Sequence, residues 1–398
     1  MTLRLAVLLS HPIPNFASWH REVAKLSDIE LRVFFCCDWG AVEYIDPQFK
    51  RPVKWDVPLL EGYEYEMLPI RRRPERLSFR EVDNPAVGKA LDRFDPNVVH
   101  VFGYAHRTNW RVAWWCRSRR RPLLIFSDSN AKAKSAWWKR VAKQIVVRRF
   151  YDRVDGAFCI SESNRAYHEM YGLPVERLFP GVMPVDRSRL LSAVSDPLSA
   201  RRSIRERHSI PQDAFVALLC GKYVSHKRPF DLLSSAWSAA QKGLPVWSVF
   251  VGDGPLRGEM EKFCEHSHIR NAVLTGFVNQ AEVSNYYAAS DVVVLPSSRE
   301  AHGLVVSEAI SFGLPVIVSD QIGCAGPNDV ARPEVNAVVY ACGDLQQLEK
   351  AIERLCLDKD LYGRMSAASV TISESQDVGV AARALADAAS ALKEMGPR

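Results

Sequence analysis

The sequence predicts an α/β protein built from two doubly wound parallel sheets. Three observations carry that expectation. Short, continuous apolar runs recur through the chain and alternate with stretches of helical spacing, the rhythm of strands covered on both faces by crossover helices. Three of these runs pass through a turn directly into a helix, as the ligand loops of such sheets do. A length of 398 residues with 47% hydrophobic content is enough for two domains of ordinary size, each with its own core.

Read from the N-terminus, strands are expected at 3–9, 31–36, 98–102, 122–126 and 156–160. The opening MTLRLAVLLSHP has an apolar stretch too short for a secretion signal and is broken by His11-Pro12, so it reads as the first strand. Lys134 to Phe150 can be drawn as a helix with Trp138, Val141, Ala142 and Ile145 on one face and Lys139, Arg140 and Lys143 on the other. The segment GLPVERLFPGVMPVDRSRL, rich in proline and glycine, is expected to connect the domains. The division is then 1–185 for the first domain, 186–375 for the second, and 376–398 for a terminal helix. Its stretch from Val378 to Lys393 is alanine-rich and helical in spacing.

The second half carries the densest chemistry. FVALLCGKYVSHKRPFDLLSSAW runs from an apolar strand through Gly221 into a loop with Lys222, His226, Lys227 and Arg228, and a helix is expected from about Pro229. SVFVGDGPLRGEMEKF repeats the pattern with Gly252-Asp253-Gly254-Pro255 as its turn. Glycine lets backbone approach a ligand, and cations on the same loop can neutralise a diphosphate. Further on, DVVVLP is a strand, a helix is expected to start near Gly303 and stop by Gly313 and Pro315, and PVIVSD is the next strand. The N–H groups around Gly303, Leu304 and Val305 would point out of the helix start, where the macrodipole favours a phosphate. Glu300 and Glu308 straddle this junction eight positions apart. Glu308 is placed to accept hydrogen bonds from vicinal hydroxyls such as a ribose, and Glu300 to face what lies beyond the phosphates. The plain alternative is a solvated loop acid and a helix-surface acid.

The ordered set of Gly221-Lys222 with Lys227, then VGDGP, then TGFVNQAEVSNYYAASDVVVLPSSRE, then Glu300 to Glu308 resembles the C-terminal half of retaining glycosyltransferases of the family 4 type. The resemblance is close over residues 210–345 and looser before them. It implies the GT-B fold, two Rossmann-like domains facing a central cleft, with a nucleotide-sugar donor in the C-terminal domain. By the same resemblance Lys222 and Lys227 hold the diphosphate, Glu308 the ribose, Glu300 and the backbone after it the transferred sugar, and the loop at Phe277 and Val278 the base. No metal and no cofactor are implied; the donor is a UDP-sugar or GDP-sugar. Transfer with retention at the anomeric carbon, to a glycan or lipid-linked acceptor of a bacterial surface, follows from family habit. The terminal helix is implied to cross back onto the first domain.

Departures from the family pattern matter too. Lys222 stands where arginine is usual, so a point charge replaces a forked donor. His302 stands where an aromatic or small residue is usual, and HPIPNFASWHRE replaces a Gly-Gly turn. The loop SDSN occupies a place where the family often supplies a histidine, which makes Asp128 the candidate near the anomeric carbon and His106 the second choice. Asp128 as a simple cap of the following helix is the structural alternative. The candidate catalytic set is therefore Glu300, Asp128 and Lys227. Asp358-Lys359-Asp360 reads as surface charge.

Charge is uneven. Residues 1–200 hold 32 Lys+Arg against 23 Asp+Glu, whereas 201–398 hold 20 against 23. Between Arg107 and Arg149 there are thirteen cations, one acid (Asp128) and five tryptophans. Three readings compete for the band 107–149: an ordinary surface helix, attachment to an anionic membrane surface through tryptophan and basic side chains, and nucleic-acid binding, for which no module is recognisable. Nine cysteines without a C-x-x-C pair suit reduced thiols in a cytosol, and no apolar run is long enough to span a bilayer. A cytoplasmic enzyme, peripheral on the inner face of the membrane, is the expected setting. A non-catalytic module that keeps the donor pocket is the other reading.

Overall fold

The computed structural model describes residues 2–46, 51–131 and 137–398. The chain divides into two compact units, Met1–Tyr44 with Val53–Val185 and Asp377–Arg398, and Ile45–Pro52 with Asp186–Gln376.

In chain order the first half contains β1 (Leu3–Leu9), α1 (Pro14–Ala24), β2 (Ile29–Phe35), the short paired strands β3 (Tyr44–Asp46) and β4 (Arg51–Val53), and β5 (Tyr65–Met67). It continues with α2 (Val87–Phe94), β6 (Val98–Phe102), α3 (Arg107–Arg119), β7 (Leu123–Phe126), α4 (Trp137–Tyr151), β8 (Gly156–Cys159), α5 (Glu162–Met170) and β9 (Leu178–Pro180). Seven of these strands form a sheet in the order β5-β2-β1-β6-β7-β8-β9. Its described pairings are all parallel, with β1 and β2 in register from Leu3 opposite Ile29 to Leu9 opposite Phe35. The segment expected to be a connector thus supplies β9, an edge strand, because Leu178 and Phe179 pair with Ala157 and Phe158.

The second unit contains α6 (Arg187–Ser192), α7 (Pro197–Arg207), β10 (Phe215–Cys220), α8 (Pro229–Gln241), β11 (Val246–Val251), α9 (Arg257–His266) and β12 (Ala272–Gly276). After these come α10 (Val283–Ala289), β13 (Val292–Leu295), α11 (Leu304–Ser311), β14 (Val316–Ser319), β15 (Ala337–Tyr340), α12 (Leu345–Leu357) and α13 (Lys359–Glu374). The six-stranded sheet has the order β12-β11-β10-β13-β14-β15, again parallel. The apolar runs are continuous because both faces are covered: Val216 and Leu218 of β10 enter one core, while Phe215, Ala217 and Leu219 enter the other. Each of the Val, Leu and Phe side chains contributes roughly 1.5–3 kcal/mol of burial. Arg205 of α7 is fully buried; it pairs with Asp291 at 2.8 Å and donates to the carbonyls of Ala289 and Ala214 at 3.1 and 2.8 Å, so its charge is compensated from several sides. Asp358 accepts from the Leu361 N–H and caps α13, a structural use for the D-x-D.

The final helix, α14 (Val378–Met395), belongs to the first unit and packs on α1. Ala381, Leu385, Ala388 and Leu392 lie on its buried stripe, and alanine at two of these positions lets the helix axes approach. The Val378 N–H donates to the Val185 carbonyl at 2.9 Å, and Arg383 pairs with Asp28 at 3.1 Å.

The basic band is less free than its composition suggests. Arg107 and Arg111 share Asp83, Arg119 pairs with Asp92, and Arg121 with Asp95. Trp115 is buried with its indole N–H on Asp92, and Trp110 donates to the Tyr104 carbonyl. Trp114 remains exposed, with the Arg153 guanidinium 4.0 Å above its ring. One expectation is overturned here: Ile145 is not on the covered face of α4 but exposed, together with Val146, and the face that packs inward is Val147, Phe150 and Tyr151. Two large rings bury more apolar area than one isoleucine, and they set the helix rotation. Lys134, and the side chains of Trp137, Trp138, Lys139, Arg140, Val141 and Ala142, lie outside the described residues.

His20 on α1 and His100 on β6 are buried with no hydrogen-bond partner on either ring nitrogen among the described residues, as is the indole N–H of Trp19 on α1. Desolvation holds both imidazoles neutral, down to about 3. The folded pKa lies below the ordinary value, so the unfolded chain takes up protons first as pH falls, and stability drops below about pH 6.5 by roughly 1.4 kcal/mol per pH unit per histidine. Urea midpoints measured from pH 7 to 4.5 should therefore decline steadily, and His100→Phe should flatten the slope. An equal slope in that variant would contradict the assignment.

Candidate active site

In the second sheet the chain leaves β10 outward through β11 and β12, then returns to add β13 on the other side. Between β10 and β13 the direction of winding reverses, and the loops after these two strands flank a crevice at the carboxyl edge where ligands of doubly wound sheets bind. One is the Gly221 to Arg228 loop, and the other runs from Pro296 to Gly303.

The two loops are tied together. The Ser298 N–H donates to the His226 carbonyl at 2.8 Å. Lys227 Nζ forms an ion pair with Glu300 Oε2, with 19% and 17% of the two side chains exposed. Ser297 Oγ donates to the same carboxylate oxygen at 3.3 Å, and the Gly323 N–H binds the Glu300 carbonyl at 3.1 Å. Ser319 in turn donates to the Ser297 carbonyl at 2.6 Å from within the core. Glu300 is therefore held by side chain and backbone, not solvated at random.

Glycine is required where this edge is most crowded. A Cβ on Gly252 would lie 1.9 Å from the Gly221 carbonyl oxygen, so the VGDGP turn nests directly against the loop after β10. Gly303 caps α11 at φ +105°, and a Cβ there would meet Leu295 at 2.8 Å. Helical bonding begins with Val306 N to Gly303 O at 2.9 Å. The N–H groups of Leu304 and Val305 precede it and project from the helix start, giving the positive end of the α11 dipole.

Glu308 lies one turn into α11 and is buried, where it accepts from the Tyr287 hydroxyl at 2.6 Å. Tyr287 stacks on Phe312 at 5.5 Å, and burial raises its phenol well above the ordinary value. Burial, with the Glu308 carboxylate nearby, also pushes the Cys220 thiol up to about 12, which puts Glu308 beside the end of β10. The helix-surface alternative for Glu308 therefore does not hold. Tyr287 was not singled out by sequence reasoning; the only signal was the Tyr286-Tyr287 pair inside NYYAAS. His302 is buried with neither ring nitrogen hydrogen-bonded among the described residues, and desolvation lowers it to about 4.

Gly221 and Lys222 sit at the start of the β10 loop, and Phe277 and Val278 follow β12 at the same edge, both half-buried. Glu300, Lys227, Gly303, Leu304, Val305 and Glu308 thus share one crevice mouth. Asp128 and His106 belong to the first unit. Asp128 is exposed on the loop after β7, a loop held by Asn164, whose amide donates to the Ser127 and Ser129 carbonyls at 2.7 Å each. His106 precedes α3, and burial lowers its pKa.

Two doubly wound parallel sheets, with cationic and carboxylate loops at a switch point, define a scaffold that can hold an anionic, hydroxylated ligand. Comparison with known proteins makes the class specific. Residues 26–180 match the family described as glycosyl transferase 4-like domain, and residues 200–370 match glycosyl transferases group 1. The chain is 33% identical over 303 residues to the lipopolysaccharide core biosynthesis glycosyltransferase LpsD of Rhizobium meliloti, covering 76% of each protein. It is 27% identical to alpha-D-kanosaminyltransferase of Streptomyces kanamyceticus over 173 residues, spanning 43% of this chain and less than half, 44%, of that protein. The fold matches Anabaena HepE in complex with UDP and glucose, with a TM-score of 0.71 at 16% identity over 98% of this chain and 99% of that one. The fold is GT-B. The chain belongs to the glycosyltransferases of the family 4 type.

The buried Tyr287–Glu308 bond generates a prediction. Tyr287→Phe removes a donor from a buried carboxylate and should cost about 1–3 kcal/mol of stability, read as a lowered urea midpoint. An unchanged midpoint would show that the hydroxyl is dispensable to Glu308.

Proposed function

We propose that this glycosyltransferase moves a sugar from a UDP-sugar or GDP-sugar to a glycan or lipid-linked acceptor in bacterial surface glycan assembly, with retention of anomeric configuration. The observation that carries the proposal is the Lys227–Glu300 pair set against the N-terminus of α11. A cation, a helix start and a carboxylate at one crevice suit, in that order, a diphosphate, its bridging oxygens and sugar hydroxyls. The Anabaena neighbour of the same fold, captured with UDP and glucose, supports a nucleoside diphosphate sugar as donor.

In this reading Lys222, Lys227 and the N–H groups of Leu304 and Val305 stabilise the charge that develops on the departing diphosphate, which is electrostatic catalysis by preorganised donors. No step calls on a metal ion. Glu308, held by Tyr287, accepts from the ribose hydroxyls, and Phe277 and Val278 flank the base. Glu300 leaves part of its bond with Lys227 and accepts from hydroxyls of the transferred sugar. Departure of the diphosphate and attack by the acceptor take place on one face of the sugar. In this reading the enzyme meets lipid-linked acceptors at the cytoplasmic leaflet through the basic, tryptophan-rich band 107–149, in which Trp114, Ile145 and Val146 are exposed. No helix among the described residues is long and apolar enough to cross a membrane.

Lys227→Ala should lower acceptor-dependent release of nucleoside diphosphate by about 10²-fold or more, with the circular dichroism spectrum unchanged. Retained turnover would remove Lys227 from the site, and donor binding without turnover against any lipid extract would favour a non-catalytic module. Co-sedimentation with vesicles containing phosphatidylglycerol should fall when Trp114, Ile145 and Val146 are changed to Ser; equal binding would exclude that face.

A further inference from the structure

The first unit holds a second built concavity at the carboxyl edge of its own sheet. A cavity of about 480 Å³ opens beside the ends of β5 and β6, and five arginines line it, Arg71, Arg72, Arg73, Arg80 and Arg107, against three carboxylates. The three acids are already committed. Glu81 accepts from the N–H groups of Glu75 and Arg76 at 2.8 and 2.9 Å and from the Ser78 hydroxyl at 3.1 Å, so it staples the loop that carries the arginines. Asp83 is shared by Arg107 and Arg111, and Glu75 pairs with Arg72. Arg73 reaches out to Asp38 at 3.1 Å. Arg71 and Arg80 are exposed and have no carboxylate within ion-pair distance among the described residues.

The wall behind them is rigid. Buried Asn84 donates to the carbonyls of Cys36, Leu68 and Pro69 at 3.0, 3.3 and 3.1 Å, and Thr108 donates to Asn84 at 2.8 Å. Trp39 donates to the Pro74 carbonyl at 3.1 Å. The loop that carries three consecutive arginines is thus held beside two more, although like charges at close range repel. The cavity size suits one charged sugar unit, and guanidinium forks match phosphate and carboxylate oxygens.

We propose that this cavity is an oxyanion subsite for the acceptor, in which Arg71 and Arg80 receive a phosphate or carboxylate carried by the acceptor glycan. The assignment rests on the reading of the chain as a transferase with a glycan acceptor. A bound oxyanion would complete the charge balance of the pocket and fix the acceptor at the edge where ligands of such sheets bind. The two sources, a phosphorylated sugar and an acidic sugar, share this chemistry.

The test uses the full chain and the variant Arg71→Gln/Arg80→Gln, with inorganic phosphate and glucuronate as probes at constant ionic strength. Their effects are read from the arginine side-chain ¹⁵N–¹H signals and from melting temperature, with UDP and GDP as a parallel arm. The expected result is saturable perturbation by one or both anions in the wild type, weakened at least fivefold in the variant, with nucleotide stabilisation equal in both proteins. A stronger response to phosphate assigns a phosphorylated acceptor, and a stronger response to glucuronate an acidic sugar. No saturable response, or an equal response in the variant, overturns the subsite while nucleotide stabilisation still upholds the transferase reading. An anion response without any nucleotide stabilisation overturns the transferase reading and, with it, the acceptor role of the pocket.

Discussion

The ion pair between Lys227 and Glu300 is the contact that ties together the two loops of the second unit's crevice, and it exists because of a constraint on strand order. Parallel strands joined by right-handed crossovers can be added to either side of a starting strand. In the second unit β11 and β12 go to one side of β10, and β13 to the other. Two loops, whose Lys227 and Glu300 are 73 residues apart in sequence, then leave adjacent strands at the same edge. The cation on the first loop and the carboxylate on the second meet there, partly withdrawn from water, where charges interact more strongly than on an open surface. A pair so placed keeps two charged side chains ordered in the unliganded chain, and under the proposed function this reduces the ordering entropy that binding would cost.

Much of this was legible in the sequence because it is carried by short-range rules. Continuous valine and leucine runs marked β10, β13 and β14, the Gly303 cap marked the start of α11, and Pro229 marked that of α8. The involvement of Glu300 and Glu308 in one edge could be anticipated from the strand, loop and helix between them. What escaped was long-range. The bond from Tyr287 to Glu308 joins different helices, and nothing in local periodicity announces it. The rotation of α4 was misjudged because several apolar stripes compete on one helix, and packing against Phe150 and Tyr151 decides among them. The connector rich in proline hid β9, since three residues of edge strand need no periodicity of their own. The pairing of the basic band with Asp83, Asp92 and Asp95 was equally hidden, because those acids lie upstream of it.

Both sheets present chemistry at their carboxyl edges, but of opposite design. The second unit offers one cation paired with one carboxylate beside a helix N-terminus, an arrangement that can serve phosphate and hydroxyl groups together. The first offers an excess of guanidinium over carboxylate on a stapled loop, an arrangement whose charge suits anions. Family membership and fold leave the sugar, the base and the acceptor to such local differences, since the same scaffold accommodates many of them.

Nucleotide binding at the second unit's crevice is measured by thermal stabilisation of the purified chain with UDP, GDP, ADP and CMP in the presence of EDTA. One nucleoside diphosphate, at a hundredfold excess over its dissociation constant, should add about 2.7 kcal/mol of stability, and Glu308→Ala should diminish the shift. Absence of a shift with every nucleotide would contradict the donor crevice, whatever the family of the fold.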